Sequence, residues 1–210
     1  MILVGQFDSP FVRRVAVTLH HYGMPFRRNT MSVISDAAEM ARINPLVRVP
    51  SLILDDGEVL IDSNAIVDFL EEKAGAGANL LPRSGPERRK VLRVVGVSSG
   101  VVDKAIAIVY ERYFHPEASV SDAWINRCRS QVANSLSHLE GLVQDRWLFG
   151  SRLSQADVMT GTMLGYLALR LPELFPHAAF PRLASLAERC EALPSFAACR
   201  PAPSESLPAR

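Results

Sequence analysis

Strand signals in this chain end near residue 61, and from about residue 86 onward its apolar residues recur only at helical spacing. Such a chain cannot close one sheet along its whole length. It has to build a small mixed α/β layer first and a helical bundle second. In the first part "MILVGQF" reads as a buried strand, and Val12, Val15, Ala16, Leu19 and Tyr22 then mark a helix closed by Gly23 and Pro25. "PFRRNTM" predicts a second strand, placed at an edge by its arginines. "SDAAEMARI" predicts a short helix with Asp36 and Glu39 as a capping box. "VPSLILDDGEVLI" reads as a hairpin about Asp56-Gly57, and "DSNAIVDFLEEKAG" as the helix that follows it. The expected order is β-α-β-α-β-β-α.

The stretch 76–87, "AGANLLPRSGPE", has the composition of a linker. Pro86 then suits a first helical turn, and Val91, Val94, Val95, Val101, Val102, Ala105 and Ile108 carry an apolar face toward Phe114, with Gly96 and Gly100 expected to weaken or bend the helix. A second helix from Ser121 shows Ile125, Cys128, Val132, Leu136, Leu139 and Val143 on one side. "LSQADVMTGTMLGYLALRL" is apolar nearly all round, which puts it at the centre of a bundle, and one more helix is expected over 182–193. The expected domains are therefore 1–78, mixed α/β, and 86–200, all-helical, with 201–210 a loose polar tail.

Charge narrows the range of functions. Lysines and arginines number 23 against 22 acidic residues, for a net charge of +1, so no basic stripe points to nucleic acid. The apolar runs fall well short of the roughly 20 residues of a membrane span, and no charged leader precedes a cleavage site, so a cytoplasmic location away from membranes is expected. Cys128, Cys190 and Cys199 are odd in number and widely spaced, which reads as reduced thiols. His20 and His21 are adjacent and cannot form an i, i+4 metal pair; no H-E-x-x-H, C-x-x-C or P-loop occurs, and no metal is expected.

Four local motifs, in order, carry a family resemblance. They are "SPFVRRV" after the first strand, Val49-Pro50 in "NPLVRVPSL", "DSNAI" at 62–66 and "LSQAD" at 153–157. Together they make the chain similar to cytosolic glutathione transferases over most of its length, with a serine-type thiol site as in bacterial members. The resemblance implies an α/β thioredoxin-like N-terminal domain that binds glutathione as co-substrate, and an all-α C-terminal helical bundle. It implies a cis bond before Pro50, a homodimer, and glutathione contacts from Ser9, Phe11, Arg48, Val49, Pro50, Asp62 and Ser63.

Read by their own chemistry, these residues leave some alternatives open. A thiol of pKa about 8.5 is mostly protonated at neutral pH, and lowering that value by about two units takes roughly 2.7 kcal/mol of preference for the thiolate. A hydroxyl at a helix N-terminus can supply part of this, and Ser9 stands at such an end. A plain cap is the lesser alternative, and a hydroxyl can do both, since it donates and accepts. Val49 can act only through its backbone, by pairing with an extended peptide. Arg48 either meets a carboxylate of the tripeptide or is a solvated loop charge. Asp62 suits an ammonium, and Ser63 with the free N–H groups of a helix start suits a carboxylate. The family has glutamate or glutamine where Asp62 stands. Ser154 and Asp157 have the S-x-x-D spacing of a structural capping box.

The resemblance also puts an electrophile pocket beside Asp103, Lys104, Tyr110 and Tyr113. Aspartate replaces a histidine found in some bacterial members, and aromatics at helical spacing such as the two tyrosines are more often packing. The expected function is transfer of glutathione to a small apolar electrophile, with Ser9 stabilising the thiolate. A non-catalytic glutathione-binding or protein-interaction member of the fold is the alternative. A thiol oxidoreductase is disfavoured because serine cannot form a mixed disulfide. For the homodimer, the basic "VRR" at 12–14 and the apolar face over 91–109 are the sequence features available for an interface.

Overall fold

A computed structural model describes residues 1–75, 77, 79–144 and 146–205. The chain divides into two compact units. Among the described residues one is Met1–Leu80 with the segment 191–205, and the other is Leu81–Cys190.

The first unit is built on four short strands, β1 (Ile2–Val4), β2 (Arg27–Asn29), β3 (Ser51–Ile53) and β4 (Val59–Ile61), in the spatial order β2-β1-β3-β4. β2 runs parallel to β1, while β3 is antiparallel to both β1 and β4. Helices α1 (Pro10–His21), α2 (Ala37–Ile43) and α3 (Ser63–Ala74) complete the expected β-α-β-α-β-β-α order. This is a thioredoxin-like arrangement. The parallel pair needs the α1 crossover, while β3 and β4 need only the turn about Asp56-Gly57, where Leu54 N donates to Glu58 O at 2.8 Å and Gly57 takes φ +92°. β2 is an edge strand and is shorter than its sequence signal.

One glycine fixes how closely the layers approach. Gly5 follows β1 at φ +128°, and a Cβ there would lie 2.5 Å from Val12 Cγ2 and 2.9 Å from Val49 Cβ. Only glycine lets the end of β1, the first turn of α1 and the loop before β3 meet at this point.

The second unit is helical: α4 (Gly85–Phe114), α5 (Asp122–Leu142), α6 (Gln155–Arg170) and α7 (Pro181–Glu191), the last residue of which belongs to the first unit. α6 is buried over nearly its whole first ten residues, as its lack of a polar face requires, and packs against α4, where Ser98 and Thr160 share a buried hydrogen bond of 2.9 Å. The stripe from Ile125 to Leu139 on α5, and Val143 just after the helix, are buried throughout. The carboxylate of Glu140 caps α7 by accepting from Arg182 N and Leu183 N, both at 2.9 Å.

Several expectations need correction. Asp36 and Glu39 form no capping box: the Asp36 carboxylate turns back to accept from Ser32 N at 2.8 Å and from Ser35 Oγ at 3.2 Å. Arg13 and Arg14 are 4% and 2% exposed, and Val91, Val94, Val95, Val101, Val102, Ala105 and Ile108 are buried within the chain, so neither "VRR" nor that stripe of α4 is a free surface, although Leu92 on the same helix is exposed. Nor does the helical unit run to residue 200. From Glu191 the chain returns to the first unit, adding the short α8 (Pro194–Ala197) against α1. The Arg13 guanidinium holds this return segment, pairing with both carboxylate oxygens of Glu191 at 2.7 Å and donating to Cys199 O at 2.9 Å. The tail expected to be loose is held as far as Glu205, which is buried, forms an ion pair with Arg28 and accepts from Ala202 N. Residues 206–210 lie outside the described residues, as do Ala76 and Ala78 of the expected linker.

Candidate glutathione site

The register of the sheet brings three separated motifs to one edge. Val4 pairs with Ser51, and Ser51 pairs with Ile61. The segment after Val4, the residues before Ser51 and the residues after Ile61 therefore leave the sheet side by side. These are Gly5–Ser9, Val49-Pro50 and Asp62-Ser63. The Val49-Pro50 bond is cis.

Ser9 is the N-cap of α1, with Pro10 at the first helical position. Its Oγ accepts from Val12 N at 3.4 Å, a long cap bond, and among the described residues its hydroxyl hydrogen has no acceptor. Ser9 and Phe11 are both half-buried. Arg48 is exposed, and its carbonyl accepts from Asn44 Nδ2 at 2.8 Å, which braces the loop before Pro50.

Asp62 caps α3 from an unusual backbone position, φ +70°, where its Oδ1 accepts from Asn64 N at 2.7 Å. The left-handed region costs a non-glycine residue free energy, and aspartate is among those that bear it best. Ser63 lies behind it, 3% exposed. One residue that sequence reasoning left out of the candidate site contacts two residues at the start of α3. Arg14 donates through Nη1 to Ser63 Oγ at 3.2 Å and to Asn64 Oδ1 at 2.8 Å. Burial pulls its guanidinium down to about 10, while Asp62 and Glu71 pull it back up, so it stays charged at neutral pH. No local signal marked it, because α1 reads as an ordinary amphipathic helix and the partners Ser63 and Asn64 lie 49 and 50 residues along the chain.

Glu71 is a second centre in this unit. It accepts from Tyr22 Oη at 2.8 Å and from Asn79 Nδ2 at 3.3 Å, and Tyr22 Oη in turn accepts from Leu80 N at 2.7 Å. Burial pushes the Tyr22 phenol up, so it keeps its proton for this network.

Asp103, Lys104, Tyr110 and Tyr113 all lie on α4, in the other unit. Lys104 Nζ stands 5.8 Å from the Trp124 ring centroid, and Asp103 is exposed. Tyr110 and Tyr113 flank Phe114 edge-on, with ring centroids 5.2 and 5.0 Å away, an exposed aromatic cluster at the end of the helix. Asp157 accepts from Ser154 N and Leu148 N at 2.8 Å and from Ser154 Oγ at 2.7 Å, which makes it a buried helix cap.

Two family models, described as "Glutathione S-transferase, N-terminal domain" and "Glutathione S-transferase, C-terminal domain", match residues 3–79 and 122–189. The chain is 31% identical over 202 residues to the "Uncharacterized GST-like protein YibF" of Escherichia coli (strain K12), covering 96% of this chain and 98% of that one. The chain belongs to the glutathione S-transferase family. It is also 31% identical over 218 residues to a maleylacetoacetate isomerase of Pseudomonas aeruginosa, covering 100% of both. Among solved structures, a glutathione S-transferase of Methylobacterium radiotolerans in complex with glutathione sulfonate has a TM-score of 0.91 at 32% identity, covering 100% of this chain and 98% of the other. One from Methylobacillus flagellatus with glutathione bound has a TM-score of 0.89 at 29% identity, covering 96% of this chain and 99% of the other. Among the described residues of this transferase no helix is long and apolar enough to cross a membrane, and among them no cluster of three or more His, Cys, Asp or Glu side chains is placed to hold a metal.

Proposed function

We propose that this transferase activates the thiol of glutathione at Ser9 and delivers it to a small apolar electrophile. The observation that carries the reading is the Ser9 hydroxyl. It caps α1 by a bond of 3.4 Å and keeps its proton available at the positive end of the helix. A sulfur placed there gains one hydrogen bond and the helix dipole, both of which favour the thiolate. The extended tripeptide lies along the backbone of Val49. Its γ-glutamyl ammonium faces Asp62, and its α-carboxylate faces the Ser63 hydroxyl and the start of α3. Asp62 Oδ1 is already engaged with Asn64 N, so Oδ2 is the oxygen left for the ammonium.

A second reading draws on the relative from Pseudomonas aeruginosa, a maleylacetoacetate isomerase. A thiolate that adds to an activated double bond forms a carbon–sulfur bond and leaves rotation free. Expelling the same thiolate then returns the isomerised alkene with glutathione regenerated. One test covers both readings. Calorimetry with glutathione first establishes binding. Turnover is then followed against a panel of aromatic halides and activated cis-alkenes, with the thiol titrated before and after. Loss of thiol supports transfer, and turnover without loss supports isomerisation. Binding with no turnover on any member of the panel leaves a non-catalytic glutathione-binding protein. We further infer a homodimer of C2 symmetry, as family membership suggests. Light scattering at micromolar concentration is expected to give twice the chain mass, and a monomer mass contradicts it.

A further inference from the structure

We propose that Arg14 is a positioning residue of the glutathione site: by donating to Ser63 and Asn64 from beneath the start of α3, it fixes where the Ser63 hydroxyl proton points. The proposal rests on the reading that Ser63 receives the tripeptide's α-carboxylate. A guanidinium has donors and no acceptor. Ser63 Oγ, 3.2 Å from Arg14 Nη1, can therefore only accept in that contact. The single hydroxyl proton of Ser63 is turned away from Arg14 and left for a ligand. The same nitrogen accounts for Asn64, whose Oδ1 accepts at 2.8 Å while its backbone N–H is taken by Asp62. Arg14 thus orders the side chains of two consecutive residues at the helix start.

A purely mechanical link between α1 and α3 would not need a charge. Burying a guanidinium at 2% exposure is costly, and the carboxylates of Asp62 and Glu71 offset only part of that cost, since burial remains the larger influence on it. What the charge adds is potential. It stands beneath the N-terminus of α3, where the unpaired N–H groups already favour an anion, and it deepens that preference for a carboxylate. It also ties α3 to the helix that Ser9 begins. Two groups of one bound tripeptide, the cysteinyl sulfur and the γ-glutamyl α-carboxylate, are held at a fixed separation by one buried side chain.

The test compares two ligands by calorimetry. One is glutathione. The other is 4-aminobutyryl-cysteinyl-glycine, which keeps the amine and the thiol and lacks only the α-carboxylate. Arg14→Met is expected to weaken glutathione about 10- to 100-fold, the worth of a charge-assisted contact, and to leave the analogue within about two-fold. In a Ser63→Ala background the same substitution is expected to cost much less, because the proton it directs is gone. Equal weakening of both ligands makes Arg14 a structural link and overturns the proposal, as does unchanged glutathione binding. A parent protein that binds no glutathione overturns the site reading, and the proposal with it. If Arg14→Met does not fold, Asn64→Ala at an exposed position removes one of the acceptors that hold the guanidinium in place. It is expected to narrow the preference for glutathione over the analogue about two- to five-fold, and an unchanged preference overturns the proposal.

Discussion

Gly5 shows how much of the site depends on single atoms. Its φ of +128° is strained for any other residue, and a methyl group there would run into Val12 on α1 and Val49 before the cis bond. Gly5→Ala is expected to cost about 3 kcal/mol of stability, from overpacking and backbone strain together, read by urea denaturation. Glutathione affinity should fall with it, since the displaced loop carries Val49. The sequence marked Ser9, Val49-Pro50 and Asp62-Ser63 because each sits at a local signal, a cap or a proline. It could not mark Arg13 and Arg14 as internal. Their partners lie 178 and 49 residues away, and a pair of arginines near a helix start looks locally like a solvated surface.

Among the elements, α6 gives the clearest case of a local pattern with a tertiary consequence. The S-x-x-D spacing foretold the cap, but not that Asp157 also accepts from Leu148 N in the loop before the helix. Burial pushes the Asp157 carboxyl up, and the bonds from Leu148 and Ser154 draw it back down. Asp157→Ala is expected to lose about 2–4 kcal/mol, combining a lost cap with buried N–H groups left without an acceptor, and Asp157→Asn less, because its amide oxygen still accepts. Thermal unfolding of the two variants beside the parent checks the order. Period alone was enough for the long elements: the stripe on α5 is the buried face residue by residue. It was weaker for the three-residue strands, whose lengths are set by pairing rather than by propensity.

For the whole molecule, the decisive feature is the return of the chain from Glu191 to the first unit. Composition made the last ten residues look loose, because proline and serine say nothing about a buried Glu205 meeting Arg28. The anchor is Arg13, which is buried while Glu191 is 33% exposed. Glu191→Ala leaves a buried guanidinium without its carboxylate. A loss of about 2–3 kcal/mol is expected, toward the lower end for a broken buried pair because water reaches one partner. A urea midpoint equal to the parent's contradicts this. The two halves legible in the sequence remain, but the last segment of the chain belongs with the first. That first unit carries the chemistry proposed here, and Ser9 is its centre. The direct measurement is an ultraviolet titration of the thiolate of bound glutathione against pH, in the parent and in Ser9→Ala. The account predicts a thiol pKa in the parent clearly below the free value of about 8.5, and a curve displaced to higher pH in the variant with glutathione affinity within a few-fold. Superimposed curves would contradict it and leave Ser9 as a helix cap alone.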